Sequence, residues 1–132
     1  MMKYNILLVD DDEASNIYSE IIIKQTGLIK KLALCRNGEK ALEYLLRIEG
    51  YLNDPSVFTP DIIFLDINMP IMNGMELLEE IEKHSLPVKV IMLTTSILEE
   101  DFNEALKYSF VKGFLNKPLK QEGLNDMIDN LD

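Results

Sequence analysis

Ile62-Ile63-Phe64-Leu65-Asp66 (62–66) is an apolar run closed by a carboxylate, and the same syntax recurs three more times along the chain. Ile6-Leu7-Leu8-Val9 runs into Asp10-Asp11-Asp12, Val90-Ile91-Met92-Leu93 into Thr94-Thr95, and Gly113-Phe114-Leu115-Asn116 into Lys117-Pro118. Short continuous apolar runs read as strands buried on both faces, the habit of a parallel sheet. Open parallel sheets hold their ligand crevice outside the carboxyl ends of the strands. The acid triplet, Asp66, the Thr94 hydroxyl and the Lys117 amine are therefore expected along one edge.

The segments between these runs read as helices. Ala14, Ile17, Tyr18, Ile21 and Ile22 recur at helical spacing, with Gly27 suited to the stop. Leu32 to Cys35 predicts a second strand, and Ala41, Leu42, Leu45 and Leu46 a helix entered through Asn37-Gly38. Met75, Leu77, Leu78 and Ile81 follow the turn residues Met69-Pro70 and Asn73-Gly74. Phe102, Ala105 and Leu106 form the weakest stripe, and Leu124, Met127, Ile128 and Leu131 the last. Five strands each followed by a helix predict an α/β, (βα)5 doubly wound parallel sheet of flavodoxin-like strand order 2-1-3-4-5. That order sets strands one and three side by side, so Asp10, Asp11 and Asp66 share a crevice. The connection from Glu49 to Pro60 exceeds the usual length of about 2–6 residues. It reads as a surface loop leading into the amino end of strand three.

A chain of 132 residues, 47% apolar and 27% charged, is one domain of a soluble globular protein. Its net charge of −10, from 23 acidic and 13 basic residues, argues against nucleic acid and anionic membrane as direct partners. Cys35 alone cannot staple the fold and reads as a small core residue. No signal-peptide pattern or transmembrane-length apolar stretch is present, which predicts a cytoplasmic protein. His84 follows Glu82-Lys83 at the polar end of the third helix and reads as a surface imidazole.

Carboxylates crowded within about 4–6 Å raise one another's pKa, and a cation relieves the conflict. Hard oxygen ligands suit Mg²⁺, with Mn²⁺ also possible. Asp10 and Asp11 directly follow the strand and are the expected ligands; Asp12 is expected to cap the helix that follows. Asp66 is the candidate nucleophile, able to form an aspartyl phosphate. Phosphoryl transfer demands positioning and charge neutralisation, which the metal, Lys117 and the Thr94 hydroxyl would supply. Asn68 is placed to offer its backbone carbonyl to the metal. Gly74 fits either a close backbone approach or a positive φ.

LLVDDD (7–12), DIIFLDINMPIMNG (61–74), VIMLTT (90–95) and GFLNKP (113–118) together resemble the receiver domain of bacterial two-component response regulators. The pieces span the chain in that family's order, and acids, DxxMPxxxG and Lys-Pro together are a specific combination. The resemblance implies that Asp66 is the phosphoacceptor and that Asp11, Asp66 and the Asn68 carbonyl ligate Mg²⁺, with Asp10 acting through water. It implies that Lys117 pairs with the phosphoryl group, that Thr94 swings to it, and that Phe114 is the switch aromatic, here without a phenol. A cis Lys117-Pro118 bond is implied as well. The resemblance also implies that Asn68 and Ser96 occupy positions that influence access of the attacking water. The implied donor is a histidine kinase or histidine phosphotransfer protein. The implied output is binding of a downstream protein target, or self-dimerisation, through the face of helix four, strand five and helix five. Because the sequence ends with the fifth helix, a single receiver over 1–132 without an output domain is expected.

Other classes fit these residues less well. An aspartyl-nucleophile phosphatase of the haloacid dehalogenase type would need a second aspartate where this chain has Asn68. A flavodoxin-like mononucleotide binder would need a glycine- or hydroxyl-rich loop where three aspartates stand. A receiver-like interaction module that is never phosphorylated would usually lack one of the key residues, and all are present.

Overall fold

The computed structural model describes residues 3–95 and 98–131. The strands are β1 (Tyr4–Val9), β2 (Ile29–Cys35), β3 (Ile62–Asp66), β4 (Lys89–Thr94) and β5 (Val111–Asn116). They alternate with helices α1 (Glu13–Lys24), α2 (Gly38–Leu46), α3 (Gly74–Lys83), α4 (Glu99–Leu106) and α5 (Gln121–Asp129). All strand pairs are parallel, in the order β2-β1-β3-β4-β5. The predicted order is the observed one.

Alternate residues of the three inner strands feed two separate cores. Leu7, Val9, Ile63, Leu65, Val90 and Met92 pack on one face against Leu77, Leu78 and Ile81 of α3 and Ala41 of α2. Ile6, Leu8, Ile62, Phe64, Ile91 and Leu93 pack on the other against Ile23 of α1 and Leu124 and Ile128 of α5. Apolar demand from both faces is why these strands carry no alternation. The edge strands β2 and β5 are only partly covered, and β2 begins three residues earlier than its apolar run suggests, at Ile29.

Side-chain caps fix the strand-to-helix turns at the carboxyl edge. Asp12 accepts the Ala14 N–H at 3.2 Å to start α1, and Asn37 accepts the Lys40 N–H at 2.8 Å to start α2. Asn73 and Glu76 form a reciprocal capping box at α3. The helical reading of α1 is correct, but its apolar stripe faces outward. Ala14, Ile17, Tyr18 and Ile21 are exposed, whereas Asn16, Ser19 and Ile23 are buried.

The 49–60 connection lies at the surface but is packed rather than loose. A 3₁₀ turn (Glu49–Tyr51) opens it, and Val57 enters the core. The Tyr44 ring meets Tyr51 and Phe58 edge-on at 5.1 and 5.8 Å, and its hydroxyl accepts the Phe58 N–H at 3.2 Å. Cys35 is buried, its thiol 3.9 Å from the Tyr51 hydroxyl, and burial pushes its pKa up to about 11. None of the described helices is long and apolar enough to cross a membrane.

Candidate functional site

β1 and β3 are neighbours, with Val9 opposite Leu65, so the residues that follow them meet. One carboxylate oxygen from each of Asp10, Asp11 and Asp66 lies within 4.8 Å of the other two. Asp10 is fully buried and Asp66 nearly so, while Asp11 faces solvent. Asp10 is densely held: Oδ1 accepts the Asp12 N–H at 3.0 Å, and Oδ2 accepts Ser15 Oγ–H at 3.0 Å and the Lys117 ammonium at 2.7 Å. Asn16 Nδ2 donates to the Asp10 carbonyl at 2.8 Å. Asp66 Oδ1 accepts the Ile67 N–H at 2.9 Å, and Oδ2 lies 3.5 Å from Lys117 Nζ.

Burial pushes the Asp66 carboxyl up to about 6, helped by the neighbouring Asp10 charge and resisted by Lys117 and the Ile67 N–H. Burial works to lower the Lys117 pKa, but its hydrogen bond and attraction to Asp10, then Asp66, outweigh that and raise it. Lys117 therefore stays cationic. Three carboxylates against one ammonium leave excess negative charge in a pocket made wholly of oxygen donors, a set that suits a hard divalent cation.

Thr94, Lys117 and Gly74 border this centre. Thr94 is buried at the end of β4, one residue past Leu93, which pairs with Asp66, and its carbonyl accepts the Lys117 N–H at 2.8 Å. The Lys117-Pro118 bond is cis. Gly74 resolves to close approach: a Cβ there would strike the Asp66 carbonyl oxygen, and its N–H donates to the Ile67 carbonyl at 2.8 Å. Asn68 is exposed in the loop after Asp66, and Ser96 lies outside the described residues. Phe114 is half-buried, its ring stacked on Phe102 at 4.8 Å. Asp12 is the helix cap expected of it. His84 is exposed, 3.5 Å from Glu80, and has no part in the centre. Sequence reasoning did not single out Ser15 or Asn16; their only signal is two consecutive polar residues beside an otherwise apolar helix stripe.

Residues 6–129 match the family model for the response regulator receiver domain. The chain is 32% identical to the nitrate/nitrite response regulator NarL of Escherichia coli, covering 90% of this chain and 50% of that protein. It thus spans about half the length of that relative. It is 30% identical to the response regulator Rcp1 of Synechocystis, covering 96% of this chain and 85% of Rcp1. The solved Mn²⁺-bound form of Rcp1 superimposes with a TM-score of 0.76 at 30% identity, over 97% of this chain and 91% of that one. The bacteriophytochrome response regulator RtBRR superimposes at 0.84, with 28% identity over 98% of this chain and 78% of that one.

Proposed function

The chain belongs to the response regulator receiver domain family, and on that footing we propose that Asp66 accepts a phosphoryl group from a phosphohistidine. The donor would be a histidine kinase or a histidine phosphotransfer protein. The observation that carries this reading is the convergence of Asp10, Asp11, Asp66 and the Lys117 ammonium on one centre at the carboxyl edge of the sheet.

An Asp66 carboxylate oxygen attacks phosphorus, the phosphorus–nitrogen bond breaks, and the imidazole leaves with a proton. The product is a mixed anhydride on Asp66. Asp11, Asp66 and the Asn68 carbonyl would hold Mg²⁺ or Mn²⁺, with Asp10 joining through water; the relative Rcp1 has been solved with Mn²⁺. When bound, that ion supplies positive charge to the phosphoryl oxygens. Lys117, already 3.5 Å from Asp66, pairs with the new dianion, and the Thr94 hydroxyl hydrogen-bonds it. Movement of Thr94 lets Phe114 turn inward, altering the face built from α4, β5 and α5, which then binds a protein target. We place this signalling module in the cytoplasm.

Incubation with acetyl phosphate and Mg²⁺, read by intact mass, tests the acceptor. One phosphoryl group is expected, abolished by Asp66→Ala and suppressed by a chelator. Addition that persists in Asp66→Ala contradicts the reading.

A further inference from the structure

Asp10 is fully buried, so its carboxylate depends on donors from the chain itself. Its Oδ2 takes two of them at once, the Lys117 ammonium at 2.7 Å and the Ser15 hydroxyl at 3.0 Å. Oδ1 has the Asp12 N–H at 3.0 Å as its one donor among the described residues. Donors that share an oxygen compete for its charge, so each is held less tightly than it would be alone.

The Ser15 hydroxyl is fixed in that position by the turn it belongs to. Ser15 lies in the first turn of α1, and the turn is pinned back onto the strand end that carries Asp10. The Asn16 N–H donates to the Asp12 carbonyl at 2.9 Å, and Asn16 Nδ2 donates to the Asp10 carbonyl at 2.8 Å. Ser15 is half-buried and, with Lys117, Tyr18, Thr95 and Pro118, borders a hollow of about 300 Å³.

Phosphorylation changes the demand on Lys117. A dianion on Asp66 draws the ammonium, which rests 3.5 Å from that residue, away from Asp10. A buried carboxylate that loses its cation is left at high cost unless other donors hold it. On Oδ2 only Ser15 would remain. We propose, resting on the acceptor reading above, that Ser15 is a positioning residue for phosphoryl transfer. Its hydroxyl loosens the Asp10–Lys117 pair before transfer and holds Asp10 Oδ2 once the ammonium has turned to the phosphoryl group. It acts through Asp10 and Lys117, and not on the reacting atoms.

Threonine and valine at position 15 compare nearly equal shapes with and without the hydroxyl, and both are equally stiff in a helix. Three quantities are measured on the full chain. Phosphoryl addition from acetyl phosphate at saturating Mg²⁺ is timed by intact mass, Mg²⁺ affinity is read by calorimetry, and hydrogen exchange of the Lys117 ammonium is followed by NMR on the metal-free protein. Ser15→Val should slow both phosphoryl addition and ammonium exchange by about fivefold, with Mg²⁺ affinity kept within about twofold. Ser15→Thr should restore both rates. Ser15→Ala adds no bulk and lets water stand in for the hydroxyl, so it should slow both by a smaller factor. Wild-type rates in Ser15→Val, a Ser15→Thr variant as slow as Ser15→Val, or Mg²⁺ affinity that falls in step with the rate overturns the inference. If the unsubstituted protein gains no phosphoryl mass, the acceptor reading fails instead. The exchange comparison then decides alone: slowing in Ser15→Val reversed in Ser15→Thr upholds the grip of Ser15 on the Asp10–Lys117 pair, and equal exchange refutes it.

Discussion

Lys117 makes its shorter ion pair with Asp10, at 2.7 Å, and stands 3.5 Å from Asp66, the residue it is proposed to serve. The ammonium is thus held beside the acceptor by a carboxylate that is itself fully buried and fixed by Ser15 and the Asp12 N–H. Asp10→Asn removes a like charge from Asp66 and leaves the ammonium to it. The Asp66 carboxyl should then titrate below about 6, as read from its carboxyl-carbon chemical shift. Lys117→Ala should move it the other way and cost about 3 kcal/mol, because Asp10 loses its buried cation. An Asp66 titration indifferent to both changes would show that the three groups do not share a field.

The raised Asp66 pKa has a consequence for stability. A carboxyl at about 6 in the fold and near 3.8 in the unfolded chain binds its proton more tightly when native. Stability therefore falls as pH rises from about 4 through about 6, and the penalty persists above that window. Asp66→Asn should stabilise the metal-free protein at pH ~7.5 by on the order of 2 kcal/mol, and the advantage should vanish at pH ~4. Thermal denaturation at the two pH values checks it; a gain independent of pH contradicts the assignment.

The first loop separates ligand from cap. Asp11 shares the carboxylate cluster, whereas Asp12 spends a side-chain oxygen on the Ala14 N–H. Asp11→Ala should weaken Mg²⁺ binding by at least about tenfold, as measured by calorimetry, while Asp12→Ala costs about 1 kcal/mol of stability and little affinity. Equal losses of affinity would mean that the wrong ligand has been assigned.

Ile71 in the β3–α3 loop and Gly74 at the start of α3 should respond in opposite directions. Gly74→Ala forces a methyl against the Asp66 carbonyl, so it should cost about 1–3 kcal/mol and slow phosphorylation by displacing the acceptor. Ile71 is a β-branched residue at φ 70°, exposed to solvent. Ile71→Asn should stabilise the fold by about 1 kcal/mol, since asparagine tolerates the left-handed region better. Chemical denaturation of both variants decides.

The legibility of the sequence followed burial. β1, β3 and β4 stand out because both faces demand apolar side chains, and the same runs locate Asp10, Asp66 and Thr94 at their carboxyl ends. β2 was shortened because Lys30 and Lys31, exposed at the sheet edge, break its apolar pattern. On α1 the period identified the helix but not its inner face. Asn16 takes a buried place by bonding the Asp10 carbonyl, and Ile17, Tyr18 and Ile21 are left outside. The packing of the 49–60 loop rests on contacts among Tyr44, Tyr51 and Phe58 that no periodicity records. Ser15 went unnoticed because one hydroxyl in a first helical turn has neither spacing nor motif to mark it, and the preference of Lys117 for Asp10 is a matter of distance alone.

Borohydride reduction of the protein after treatment with acetyl phosphate and Mg²⁺, followed by peptide sequencing, locates the acyl phosphate most directly. Reduction converts a phosphorylated aspartate to homoserine. Homoserine at position 66, and at neither 10 nor 11, is the predicted result; homoserine at position 10 or 11, or none in a protein whose mass shows phosphoryl addition, would contradict it.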